Sequence, residues 1–120
     1  MVNQPVSSAA DLLHRYQLGE RMFKGASLQS ADLQGANLHQ AILWGAILWG
    51  ANLQRASLQE AVLQRADLHG ADLKGANLRG AFLGAADLRK AILLEADLTG
   101  ANLEGAVLKG AIMPDGTVHP

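Results

Sequence analysis

Cysteine is absent from these 120 residues. Disulfides and thiolate metal sites are therefore excluded, and a reducing compartment fits. Aromatic residues make up only 4%, although apolar residues reach 49%. Any core must be built from small and medium aliphatic side chains. Neither sign of charge dominates, because ten basic residues stand against eleven acidic ones and the net charge is −1. That balance supplies no global field to draw the chain onto nucleic acid or an anionic membrane. No apolar run reaches the roughly 18 residues of a transmembrane helix. The opening residues, MVNQPVSSAADLL, lack a basic stretch followed by an apolar one. No signal peptide is visible, and a cytoplasmic protein is expected. The length fits one domain.

What is present is a repeat. Alanine stands at every fifth position from Ala26 to Ala111, 18 times without a gap. Leucine follows two residues later from Leu28 to Leu108, 17 times. Residues 21–115 hold 19 such pentads. On an α-helix five residues advance about 500°, so successive leucines would spray around the cylinder. In a straight strand the side-chain period is 2, and an odd repeat would flip each leucine to the opposite face. A chain that bends once per pentad buries them all. Ala and Leu then face inward, the residue between them faces out, and the next two make the corner. Ten of the 13 glycines fall on the second corner residue, where they supply positive φ. The other eight such sites, among them Arg55, Glu60 and Lys90, predict a mixture of turn types.

The outward residue reports how many pentads close a coil. At a spacing of twenty, one column reads Met22, Ile42, Val62, Phe82, Asn102, and another reads Asn37, Ser57, Asn77, Asp97. The first is mostly apolar and the second wholly polar. At a spacing of fifteen the contrast vanishes, so four pentads per coil are favoured. Ser8 is placed to cap a helix over Ser8–Leu18, with Asp11 three residues on and Gly19 as its stop. Pro114-Asp115-Gly116 reads as a turn, after which Thr117–His119 lies across the last coil.

The pattern Ala-(Asp/Asn/Ser)-Leu-x-Gly resembles the pentapeptide-repeat family over about four fifths of the chain. The tail Ala111–His119 looks like the ends of many cyanobacterial members. The resemblance implies an all-β solenoid, a right-handed quadrilateral β-helix of about five coils with Leu and Ala inward. The expected division is a segment 1–20 carrying a short capping helix, a repeat rod 21–115 and a C-terminal cap 116–120.

Catalytic chemistry is not expected. His14, His39, His69 and His119 show no ligand spacing, so neither metal nor cofactor is anticipated. Ser27, Ser30 and Ser57 have no evident base, and the evenly spaced glycines form no phosphate loop. A convex rod offers few pockets, so a small-molecule ligand is not expected either.

Two outward groups remain. Ile42, Trp44, Ile47 and Trp49 come from the consecutive pentads AILWG and AILWG and face outward on two adjoining sides, with Val62 next to Ile42. Patches of this kind mark interfaces, and tryptophan is a favoured anchor. With Phe82 they form the leading candidate surface, for a protein partner or self-association. The alternatives are cover by residues 1–7, partial exposure without a role, or a lipid or pigment contact. A second patch is expected around Phe82, Ile92, Leu94 and Ile112. The other group is Asp67, Asp72, Asp87 and Asp97. Some proteins of the resembling family mimic duplex DNA and bind type II topoisomerases such as gyrase, and these acids are the residues for that alternative. Lys74, Arg79, Arg89 and Lys90 lie among them and dilute the charge. Direct nucleic-acid binding is not expected, because there is no basic stripe.

Overall fold

The fold is given by a computed structural model, which describes residues 4–120. Its unit is the corner. Each alanine from Ala26 to Ala111 donates its N–H to the carbonyl three residues earlier at 2.9–3.1 Å, which turns the chain once per pentad. The residue before each of these alanines has positive φ. Glycines there lie at 66–76°, and the eight side-chain-bearing residues lie at 57–62°. The expected mixture of corners thus shares one handed backbone conformation, with two kinds of occupant.

The sides between corners stack by parallel bridges at a spacing of twenty, from Met22 with Ile42 to Ile92 with Ile112. Four sides therefore complete one coil. We number them one to four, starting from the columns of Met22, Ser27, Asp32 and Asn37. In the pentad that starts at Ala51, Leu53 N–H donates forward to Asp72 O at 2.7 Å, and Arg55 N–H to Lys74 O at 2.9 Å. In the coil below, Asp72 N–H donates back to Ala51 O at 2.9 Å. The turn bond of Ala56 is the fourth. One N–H per pentad is left, on the first corner residue, and in nine of the nineteen pentads an outward Asp or Asn accepts it. Gln54 N–H donates to Asn52 Oδ1 at 3.1 Å, and Lys74 N–H to Asp72 Oδ1 at 3.1 Å. This is an Asx-turn built into the corner.

Inside, the leucines from Leu28 to Leu93 and the inward alanines from Ala36 to Ala91 are buried, and among the described residues no polar residue is buried with them. The molecule measures 46 × 24 × 22 Å along its principal axes. Its two nearly equal short dimensions suit a four-sided section.

At the N-terminal end, helix α1 spans Ala9–Gln17. Ser8 Oγ accepts from Asp11 N at 3.1 Å, and Gly19 follows at φ 93°. Leu12 is fully buried in the core, with Leu13 and Tyr16 packed against it. Tyr16 donates its hydroxyl to His39 O at 2.8 Å. Ahead of the helix, Val6 O accepts from Ser27 N at 2.8 Å. That offset of twenty-one is the one the repeat itself uses, so buried Val6 stands where an alanine of a preceding coil would stand. At the other end Val118 pairs antiparallel with Ile112. The tail therefore extends the edge at Ala111–Met113 and does not lie across the coil, as a hairpin through Pro114–Gly116 allows.

Two stability outcomes follow from this arrangement. Leu68→Ala lowers unfolding free energy by about 2–5 kcal/mol, and Leu68→Asp abolishes the folded circular-dichroism signal because it buries an unpaired charge. At the corners, Ala85→Gly relieves a left-handed side chain and raises stability by about 1 kcal/mol, whereas Gly75→Ala lowers it by a similar amount. Denaturant titration of the two variants checks the opposite signs.

Candidate binding surface

Outward positions on this rod have a default chemistry, which is Asp or Asn accepting the corner N–H. Asp67, Asp72, Asp87 and Asp97 all follow it, accepting from His69, Lys74, Arg89 and Thr99 at 3.0–3.1 Å. Asparagine does the same at Asn52 and Asn77. These four acids are thus accounted for by the turn. Three of them are further tied. Arg89 grips Asp87 with two nitrogens at 2.9 and 2.7 Å, Asp72 accepts from the Gln54 amide at 2.8 Å, and Arg79 lies 3.8 Å from Asp97. Asp67 and Asp87 stack as bridge partners on face two, while Asp72 and Asp97 stand on faces three and four.

The apolar outward residues break the default. Ile42, Ile47, Val62 and Phe82 have no acceptor to offer, so the N–H groups of Trp44, Trp49, Gln64 and Gly84 form no backbone or side-chain hydrogen bond among the described residues. Ile42 is on face one, Trp44 on the corner, Ile47 on face two and Trp49 on the next corner, which makes a belt around the second coil. Trp44 is 37% exposed, Ile47 39% and Trp49 45%, while Ile42 is half-buried. The described residues 4–7 do not cover the indoles, and residues 1–3 lie outside the described range. Lys24 Nζ lies 4.9 Å from the Trp44 ring centre and Arg65 Cζ 5.8 Å from it. Trp44 is thereby held between cations from the coils on either side. Lys24 and Trp44 are twenty residues apart, so the coil spacing itself sets that cation against the ring.

Phe82 joins the belt's own face. It stacks on Val62, which stacks on Ile42 and then Met22, along face one. Ile92 and Ile112 are bridge partners on face three. The second patch expected from the sequence is therefore not one surface, because Phe82 is on the opposite side of the rod from both isoleucines. On this rod nearness in the chain is not nearness in space.

No group of three His, Cys, Asp or Glu side chains able to hold a metal occurs among the described residues, nor does a helix long and apolar enough to cross a membrane.

Comparison with known proteins agrees with this geometry. The family model for pentapeptide repeats matches in 8 copies over residues 23–45, 43–75 and 76–113. The chain belongs to the pentapeptide-repeat family. Pentapeptide-repeat proteins form right-handed quadrilateral β-helices. The chain is similar to the pentapeptide repeat protein Rfr23 from the cyanobacterium Cyanothece 51142, with 41% identity and a TM-score of 0.70, over 71% of this chain and 58% of that one. It thus spans less than two thirds of that relative's length. It is also similar to alr5209 from Nostoc PCC 7120, with 40% identity and a TM-score of 0.53, over 91% of this chain and 82% of that one. QnrB1, a plasmid-mediated fluoroquinolone resistance protein, matches at 17% identity and a TM-score of 0.54, over 77% of this chain and 65% of that one. That likeness is one of fold alone. No curated protein matches the chain.

The Asp87–Arg89 contact generates a pH dependence. The hydrogen bonds from the Arg89 side chain hold the Asp87 carboxyl below its ordinary 3.8. A carboxyl with a depressed folded value contributes stability above its unfolded value and loses it as pH falls through the folded one. Thermal stability is therefore expected to fall below about pH 4, and less steeply in Asp87→Asn. The difference stays under about 1 kcal/mol, because the pair is near the surface.

Proposed function

We propose that this pentapeptide-repeat protein is a non-catalytic binding module. It docks a protein partner through Trp44, Ile47 and Trp49, extended along face one by Ile42, Val62 and Phe82. The observation that carries the reading is the cluster of broken defaults on coil two. Two consecutive pentads give up the Asx acceptor and expose two indoles, on a rod whose other corners are mostly polar. Large exposed apolar surface on a soluble domain marks an interaction site, and indoles anchor such contacts with little loss of side-chain entropy. Trp44 is already fixed between Lys24 and Arg65, which lowers that loss further.

The fold enters this reading as a platform of just under five coils. Helix α1 serves as its N-terminal cap, and the chain divides into residues 1–20, 21–115 and 116–120. A cytoplasmic setting is part of the proposal, and a cysteine-free chain fits a reducing compartment. The alternative is a DNA-mimic ligand of gyrase acting through Asp67, Asp72, Asp87 and Asp97. The stacking of Asp67 on Asp87 favours it. It ranks second because those acids are employed in turns, and Asp87 and Asp97 lie against arginines.

Trp44 and Trp49 are the only tryptophans, so intrinsic fluorescence reports on the belt alone. The free protein is expected to show red, acrylamide-quenchable emission. Adding a partner isolated by affinity capture should shift that emission to the blue and protect it. Trp44→Ser combined with Trp49→Ser should lose capture at least tenfold with an unchanged melting temperature. Equal recovery of the partner by both proteins would reject this surface.

A further inference from the structure

The pentad Ala81-Phe82-Leu83-Gly84-Ala85 inverts the rule of its neighbours. Gly84 is the only glycine at the first corner position of any pentad, and its φ is not positive. Ala85 occupies the second corner position at φ 57°, where glycine would be relaxed. The fold does not require this arrangement. A Cβ built on Gly84 would meet nothing closer than Glu104 O at 3.6 Å, an ordinary contact. Positive φ without glycine is shared with seven other corners, so what sets this pentad apart is the side chain it forgoes at Gly84, with no gain inside the monomer. A broken local rule without an internal benefit points to function.

The missing side chain leaves a notch of about 350 Å³ that runs from Trp44 on the second coil to the fifth coil. Gln64 and Arg65 line its upper wall, and Glu104 lines the lower one. Among the described residues neither Arg65 nor Glu104 has an ion-pair partner within the chain. Phe82 stands beside the notch on face one and is 44% exposed.

We propose that the notch is the centre of a two-fold contact between two copies of this chain, packed side by side and antiparallel. The axis runs across the rods at the fourth coil, tangent to the corner. It sets the third coil of one copy against the fifth coil of the other. Arg65 and Gln64 of one copy then converge on Glu104 of the second copy, and the same contact occurs again by symmetry. Gly105, opposite Arg65, offers no side chain to obstruct it. Gly84 and Ala85 of the two copies meet backbone to backbone, which only small residues permit. Phe82 packs on its own symmetry mate. An isologous contact needs opposite charges placed symmetrically about a centre free of bulk, and coils three to five supply that arrangement.

This contact shares Phe82, Arg65 and the Trp44 corner with the docking reading and is told apart from it at Trp49, which does not line the notch. Three coils of overlap make a small interface, below roughly 1,000 Å² in total, so the dimer is expected at tens to hundreds of micromolar. Sedimentation velocity over a concentration series measures it. Arg65→Glu and Glu104→Arg should each weaken dimerisation at least about tenfold, and the two together should restore it, because the swap preserves complementarity. Gly84→Gln should fill the notch and give a monomer that melts no lower than the native protein. Trp49→Ser should leave the dimer intact. A native protein that stays monomeric to about one millimolar would overturn the proposal. So would a folded double swap that stays monomeric, or a Gly84→Gln protein that dimerises as before.

Discussion

The corner is the constraint on which this molecule depends. At every corner the hydrogen bond from the alanine N–H to the carbonyl three residues earlier closes with the residue before the alanine at positive φ, as in a type II turn. Once it closes, the next side begins at a right angle, and inter-coil bonds become possible at a spacing of twenty. The inward pair is then limited by space. Two residues per side must fill a narrow square interior, and alternating small and medium aliphatics do so without voids. The low aromatic content is thus a consequence of the cross-section.

The same geometry dictates part of the outside. Four of the five N–H groups in a pentad are paired by backbone, and the fifth calls for an acceptor two residues earlier. Asp and Asn meet that need and share the outward position for that reason. An acid there is weak evidence of an electrostatic role, because asparagine at Asn52 and Asn77 makes the same bond. An apolar residue there is stronger evidence of a role, because it gives the bond up. The exposed cost of each is small, since water can replace the lost acceptor. Yet Ile42 and Ile47 occur side by side, each followed by tryptophan.

Much of this was legible before any coordinates. The period of five excluded a continuous helix or strand, and the contrast between outward columns fixed four sides to a coil. Ser8, Asp11 and Gly19 marked the helix to within a residue at each end. The candidate belt was legible for the same reason, as departures from a strict pattern. What escaped notice is carried by the same spacing of twenty, at positions outside the outward columns. Val6 completes the register of a coil that the chain does not form. Lys24 and Arg65 reach Trp44 from coils above and below. Phe82 and Ile92 are near in sequence, but a spacing of ten puts them on opposite faces of a four-sided coil.

A rod with a fixed interior leaves few positions at which function can be written. Only the outward residue and the two corner residues vary without disturbing the core, and these project in rows about 4.8 Å apart along each face. Any partner must read a grid of short side chains, so affinity comes from exceptions to the grid. Added bulk is one kind of exception, as at Trp44 and Trp49. Removed bulk is the other, as at Gly84, where the loss of a side chain brings the backbone itself within reach. Both kinds lie along the corner between faces one and two, at Trp44 and at Gly84 two coils further on. That corner therefore concentrates the information the repeat leaves free, and contacts made there can change without altering how the chain folds.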